Sequence, residues 1–223
     1  MWKVDQVLQI FAPFDCLGCQ KEGALVCSEC QTHSLPPQPR CCYKCLKTVP
    51  GSLCTTCRQS TALRRVWVAV SYEGVAAQLI NRLKFSRTQA AGSIIAHIMS
   101  NQLPTFPEDT IVVHAPTASQ RVRQRGYDQA QLIARELARF KALPYQPLLR
   151  RKGKTRQVGA NRQERLQQLQ SAYYCPRPEL VRGVKVLLID DVLTTGATIE
   201  TAAKVLKRAG AKEVRAALFA QKV

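Results

Sequence analysis

From Thr61 onward, short apolar runs alternate with stretches whose apolar residues recur every three or four positions. "RRVWVAVSYE" (64–73) reads as a strand. "VAAQLINRLKF" (75–85) reads as a helix with Val75, Leu79, Ile80 and Leu83 on one face. A second helix is expected over 93–102, followed by the strand "TIVVHAP" (110–116). A long helix over 120–140 would turn Ala130, Ile133, Ala134 and Leu137 inward. "SAYY" (171–174) suggests a short strand and "GVKVLLIDD" (183–191) a longer one. A helix over 197–209 and the strand "EVRAALFA" (213–220) complete the series. Val186 to Ile189 are apolar at every position, the pattern of a central strand covered on both faces. Strand and helix in rotation imply an α/β fold, a mainly parallel sheet flanked by helices, over residues 61–223.

Residues 1–60 follow another rule. Nine of the ten cysteines lie there, and eight form four C-x-x-C pairs: Cys16/Cys19, Cys27/Cys30, Cys42/Cys45 and Cys54/Cys57. Each C-x-x-C turn aims two sulfurs at one tetrahedral ion, so two such turns complete a Cys₄ site. The spacing predicts a double zinc ribbon with two structural zinc ions, joined by the stiff connector "SLPPQPR" (34–40). Consecutive and cross-braced pairings both satisfy it. A disulfide scaffold would need an export signal, which the N-terminal stretch does not resemble, and a redox site needs one C-x-x-C rather than four. Cys41 is then the spare, and Cys175 a packed thiol.

Charge narrows the partners. The formal net charge of +18 falls to about +14 if each Zn(Cys)₄ site carries two negative charges. The excess is local: residues 150–165 hold 7 basic against 1 acidic residue, whereas residues 1–60 hold 6 against 4. This stretch, with Gly153 and Gly159 and few hydrophobes, reads as a basic loop suited to phosphates or a nucleic-acid backbone. A solubilising surface is the commoner reason for such charge. No apolar run approaches the ~20 residues of a membrane span, so a soluble cytoplasmic protein without membrane insertion is expected.

The densest chemistry is "VLLIDDVLTTGAT" (186–198). A buried strand delivers Asp190 and Asp191 in alternate directions, then enters a loop of Thr194, Thr195, Gly196, Ala197 and Thr198. Backbone N–H groups and the following helix N-terminus make that loop an anion seat, with threonine hydroxyls as added donors. A carboxylate one step away can accept hydrogen bonds from vicinal sugar hydroxyls or hold a hydrated Mg²⁺. His114, at a strand end, is of the kind simply hydrogen-bonded in place. Lys84 is either an anion contact or a plain helix-end lysine.

This stretch resembles the signature of type I phosphoribosyltransferases, which use 5-phosphoribosyl 1-pyrophosphate. The doubled C-x-x-C ribbon, "NRLKF" (81–85), "RQRGYDQAQLIARELA" (123–138), the basic loop and that signature, in this order, resemble the ComF family of competence-associated, phosphoribosyltransferase-like proteins. Two positions depart from the family's pattern: Val113, His114, Ala115, Pro116 replace Val-Pro-Val-Pro, and Arg125, Gly126, Tyr127, Asp128, Gln129 replace R-G-F-N-Q. The resemblance implies a type I phosphoribosyltransferase-like fold and a site for phosphoribosyl pyrophosphate with Mg²⁺. Asp190 and Asp191 would hold the ribose as the catalytic pair and Thr194 to Thr198 the 5′-phosphate. Ala115, Pro116 and Thr117 would meet pyrophosphate, under a lid carrying Lys154, Arg156 and Gln157. It also implies a role in natural transformation, handling single-stranded DNA with an uptake helicase. Arg123, Arg125, Arg150, Arg151 and Lys152 are the candidate strand contacts, though Arg123 and Arg125 could equally brace Asp128. Trp67, Tyr72, Phe85 and Tyr127 could stack bases, but with 6% aromatics backbone contacts should dominate. Two other functions fit the same features: a salvage phosphoribosyltransferase, and a regulator whose sugar site is a relic. Turnover, acceptor and oligomeric state are not encoded in any motif.

Overall fold

The computed structural model describes residues 14–86, 88–152 and 172–222. Four parallel strands form its centre: β1 (Arg65–Ser71), β2 (Thr110–His114), β5 (Lys185–Leu193) and β6 (Glu213–Gln221), in the order β1-β6-β5-β2. A two-stranded antiparallel ribbon, β3 (Arg150–Arg151) with β4 (Tyr173–Tyr174), flanks it. Because every central strand is parallel, all four carboxyl ends emerge on one rim.

The helices are α1 (Ser28–His33), α2 (Thr55–Arg58), α3 (Gly74–Phe85), α4 (Ala90–Gln102), α5 (Ser119–Arg125), α6 (Gln129–Phe140) and α7 (Ala197–Arg208). On one sheet face, Leu79, Ile80 and Leu83 of α3, Ile95 and Met99 of α4, and Ile133 and Leu137 of α6 pack with Leu187 and Phe219. On the other face, Ile199, Ala202 and Leu206 of α7 pack with Val186, Leu188 and Leu218. Full burial of each large aliphatic side chain contributes roughly 1.5–3 kcal/mol against the chain entropy lost.

The cysteine-rich segment is divided between these two cores. Cys16, Leu25, Val26 and Leu35 join the α3/α4 face, whereas Cys42, Tyr43 and Leu53 join the α7 face. The connector passes over the β1 edge, where Gln38 N–H donates to Ala69 O at 3.0 Å. It thereby covers backbone groups that an exposed edge strand would offer to other chains.

Three differences from the pattern-based expectation bear on the site. The single helix over 120–140 is two helices. Gly126, at φ 85°, ends α5 by donating its N–H to Val122 O at 2.8 Å, and Asp128 then caps α6 through Ala130 N–H at 3.0 Å. Glycine beyond a helix end and aspartate before the next are its local stop and start signals, which hydrophobic periodicity alone ignores. The helix expected from residue 93 begins at Ala90. The strand β5 also runs two residues past Asp191, so the acidic pair lies inside the strand.

Candidate functional site

That extension creates the site. β2 ends at His114, paired with Ile189, while β5 stays paired with β6 through Leu193 and Gln221. After Ala115 N–H donates to Ile189 O at 2.9 Å, the β2 chain turns away and leaves Asp190 and Asp191 beside a gap. The gap is a cleft of about 310 Å³ at the carboxyl rim. This is where parallel α/β sheets receive ligands, because helix N-termini and strand-end loops converge there.

The loop after β5 forms one wall. Thr194, Thr195 and Thr198 are exposed, with Thr194 and Thr198 lining the cleft. Gly196 sits at φ 75° immediately before α7, a left-handed conformation that glycine tolerates. Its Cα side is closed as well: an added Cβ would lie 3.2 Å from Tyr43 Cε2. The first N–H groups of α7 have no partners within the helix and carry the positive end of its dipole. An anion at this wall is therefore favoured by charge and geometry together.

The carboxylates divide their roles. Asp190 is partly exposed to the cleft, and its Oδ1 accepts from Asp191 N–H at 2.9 Å. Burial, then the adjacent Asp191 charge, push the Asp190 carboxyl well above the usual range. Asp191 is only 6% exposed; its Oδ1 accepts from Val192 N–H at 2.6 Å, and Lys84 Nζ lies 2.8 Å from its Oδ2. That Oδ2 satisfies no directional hydrogen-bond geometry, so the Lys84 contact is an ion pair rather than an aligned bond. Gln129, 5% exposed, lines the same cleft, and its Oε1 is buried without a hydrogen-bond partner among the described residues. An orphaned acceptor beside an accessible carboxylate suits sugar hydroxyls or the waters of a hydrated Mg²⁺.

The turn at Ala115, Pro116 and Thr117 forms the opposite wall. Asp128 holds it: Thr117 donates its N–H at 2.8 Å and its hydroxyl at 3.0 Å to the two carboxylate oxygens. His114 lies behind, with Nε2 3.9 Å from Asp128 Oδ2 and Nδ1 2.9 Å from the Tyr145 hydroxyl. Desolvation lowers its pKa, despite the opposing Asp128 charge, which favours the neutral imidazole. It is held in place and does not line the cleft.

The candidate basic residues scatter. Arg151 lines the cleft and stacks over Tyr173 at 5.4 Å, and Arg150 and Lys152 are exposed beside it. Arg123 is exposed on α5; Arg125 stacks over Phe85 at 5.6 Å, with Nη1 buried and unpartnered among the described residues. Asp128 is braced by Thr117 and the start of α6. Lys154, Arg156 and Gln157 lie outside the described residues. Arg121, Tyr173 and Lys222 line the cleft without having been singled out, because no local motif marks them; Tyr72, a candidate for base stacking, lines it as well. A second hollow of about 320 Å³ beside β1, lined by Arg40, Arg65 and Trp67, has no carboxylate among its described lining residues.

The eight paired cysteines gather as Cys16, Cys19, Cys27, Cys30 and as Cys42, Cys45, Cys54, Cys57, the sulfurs of each group within 4.8 Å of one another. This is the consecutive pairing. Burial pushes the Cys16 and Cys42 thiols up, but backbone N–H donors outweigh it and bring each to about 6. Cys57 N–H likewise donates to Cys54 Sγ at 3.3 Å. Four convergent sulfurs backed by N–H donors fit tetrahedral zinc.

Residues 84–223, well over half of the chain, match the phosphoribosyl transferase domain family. The competence protein ComFC of Streptococcus pneumoniae is 28% identical, over 88% of this chain and 87% of its own length. ComFC of Bacillus subtilis is 26% identical, over 87% and 89% respectively. The DNA utilization protein YhgH of Salmonella typhi is 26% identical, over 90% and 93%. Among solved structures, the glutamine phosphoribosylpyrophosphate amidotransferase of B. subtilis has a TM-score of 0.46 at 20% identity. The match covers 63% of this chain and spans 30% of that enzyme. The domain match over more than half of the chain, two Cys₄ clusters ahead of that domain, and ComFC and YhgH relatives along nearly the whole length together show that the chain belongs to the phosphoribosyl transferase domain family and is a ComF-family protein with a type I phosphoribosyltransferase-like fold.

Proposed function

We propose that the cleft binds 5-phosphoribosyl 1-pyrophosphate with Mg²⁺, in a cytoplasmic protein that handles incoming single-stranded DNA during natural competence. One observation carries the sugar-phosphate part: a partly open Asp190 and the Gly196-capped loop face a single cleft at the carboxyl end of β5. In this reading the N–H groups and hydroxyls of Thr194 to Thr198 hold the 5′-phosphate. Asp190 accepts the ribose hydroxyls, and Gln129 Oε1 takes a further hydroxyl or metal-bound water. Asp191 acts through its contact with Lys84, which sets the charge beside Asp190. The turn at Ala115 to Thr117, fixed by Asp128, offers backbone donors to the pyrophosphate. Bound Mg²⁺ would supply charge neutralisation on that pyrophosphate. Lys154, Arg156 and Gln157 would close over the ligand.

The competence role draws support from the ComFC relatives and the DNA part from YhgH, both matching along nearly the whole chain. The strand would contact Arg123 and Arg125 of α5 and Arg150, Arg151 and Lys152 at β3, and pass to an uptake helicase. Five phosphate contacts give a log–log salt slope of about −3.5, or roughly a hundredfold loss between 50 and 200 mM salt.

Calorimetric titration with phosphoribosyl pyrophosphate and Mg²⁺ tests the first part. Asp190→Asn exchanges a carboxyl acceptor for an amide, for which about 0.5–1.5 kcal/mol, or roughly 2–10-fold in affinity, is expected. Equal affinity in the variant removes Asp190 from the sugar site. Oligonucleotide binding that ignores salt removes the basic-residue assignment. Pyrophosphate release against a panel of bases and nucleic acids distinguishes pentosyl transfer from binding alone.

A further inference from the structure

We infer that Tyr43 is a positioning residue that links the Cys42–Cys57 metal cluster to the phosphate loop, so that metal occupancy and sugar-phosphate binding reinforce each other. This rests on the phosphoribosyl reading of the cleft. Tyr43 lies between Cys42 and Lys44, inside the C-x-x-C turn of the second cluster. It is 3% exposed, far from a surface tyrosine's usual state. Its ring closes the Cα side of Gly196, where a methyl group would come within 3.2 Å of Cε2 and 3.4 Å of Cδ2. Its hydroxyl donates to Glu200 Oε1, in the first turn of α7, and pairs with Thr61 Oγ1 at 2.8 Å. The next residue adds a charge, since Lys44 Nζ lies 3.2 Å from Glu200 Oε1 and donates to Ser60 O at 2.8 Å. Ring, hydroxyl and ammonium thus fasten one cysteine turn to the glycine and the first helical turn of the candidate anion seat.

The turn is also anchored by the buried Cys42, whose N–H donates to Lys47 O at 2.9 Å. Leu46 N–H donates to Cys42 O at 2.8 Å and Tyr43 N–H to Ser52 O at 3.0 Å, while Cys42 and Cys45 sulfurs meet those of Cys54 and Cys57. A cation bound by all four sulfurs would tie the Cys42 turn to the Cys54 turn. Without it the turn carrying Tyr43 loses its sulfur anchor, and the N–H groups at Gly196 and Ala197 lose the surface that orients them. An anion seat made of backbone donors depends on their alignment, so its affinity follows that orientation. Linkage requires the converse: ligand in the cleft must hold the second cluster closed by the same factor.

The test uses the full chain with both zinc ions, in wild-type, Tyr43→Phe and Tyr43→Ala forms. Calorimetry measures phosphoribosyl pyrophosphate with Mg²⁺, and competition with a chromogenic zinc chelator measures zinc affinity with and without that ligand. In the wild type the ligand should raise the zinc affinity of one site, read from chelator competition at equilibrium, about 5–20-fold, within the usual range of site-to-site coupling. Tyr43→Phe, which keeps the ring on Gly196, should lose part of both the ligand affinity and its effect on zinc. Tyr43→Ala should lose most of both while still binding two zinc ions. Glu200→Gln serves as a second variant should Tyr43→Ala fail to fold, and should match Tyr43→Phe. Zinc-replete variants that bind the ligand as the wild type does, or wild-type zinc affinity indifferent to bound ligand, overturn the linkage and leave the cleft assignment standing. A wild type that does not bind the ligand removes the cleft assignment and the linkage with it.

Discussion

Replacing Asp128 with alanine perturbs a single side chain that holds two elements at once. Its carboxylate caps α6 through Ala130 N–H at 3.0 Å and fixes the cleft turn through Thr117 N–H at 2.8 Å and hydroxyl at 3.0 Å. Loss of a helix cap costs about 1 kcal/mol. Each bond from Thr117 to a charged acceptor adds about 1.5 kcal/mol, little discounted for solvent at 10% side-chain exposure. The three contributions share one group and do not add fully, so a loss of about 2–4 kcal/mol is expected. In a chain of this length that lowers Tm by about 4–16 °C. Asp128→Asn keeps an oxygen for the cap but presents an amide donor or a weaker acceptor to Thr117, for about half the loss. Thermal melts followed by circular dichroism, with calorimetric ligand titration at 20 °C, provide the readout. An alanine variant melting within about 2 °C of the wild type, with unchanged ligand affinity, would refute both the bracing of the turn and its place in the cleft.

Lys84→Met leaves Asp191 without its partner in a nearly closed setting and should cost about 3–5 kcal/mol; Lys84→Met/Asp191→Leu should recover much of that in urea melts, and a purely additive double variant argues against the ion pair. Gly196→Ala forces a side chain into a left-handed position 3.2 Å from Tyr43, so about 1–2 kcal/mol of stability and weaker phosphate binding should be lost, measured by melting and phosphate titration. His114 has a folded-state pKa below its ordinary value, so the unfolded chain takes up the proton first and stability falls as pH drops below about 6.5. In His114→Asn the fall in urea midpoint between pH 6.5 and 5 should be shallower than in the wild type, and an identical slope would separate His114 from the acid response.

What the sequence made legible is what short-range chemistry encodes. Eight cysteines in four C-x-x-C pairs specify two clusters because each ion's geometry is written in the spacing, but the spacing admits both pairings, and it is the fold that gathers consecutive turns. Apolar Val186 to Ile189, followed by carboxylates, threonines and glycine, mark a central strand and its loop, for the same local reason. Periodicity ran through the α5–α6 break, since the stop at Gly126 and the start at Asp128 are capping chemistry that a hydrophobic count does not weigh. The remaining site depends on contacts distant along the chain. Lys84 reaches Asp191 across the end of α3, and Tyr43 reaches Glu200 from 157 residues away. No local pattern distinguishes that lysine from a solvated one, or that tyrosine from a packing residue in the cysteine-rich segment. Gln129 stands within a readable motif, yet its orphaned carbonyl oxygen becomes visible only once the fold closes around it.

The central claim is that the rim of β5 seats a phosphorylated pentose. A crystal structure of the zinc-loaded protein with phosphoribosyl pyrophosphate and Mg²⁺ tests it most directly. The 5′-phosphate should lie against the backbone of Thr194 to Thr198, with the ribose hydroxyls within hydrogen-bond distance of Asp190. An empty cleft at saturating ligand, or the ligand lodged beside Arg40 and Arg65 in the hollow along β1, would contradict it.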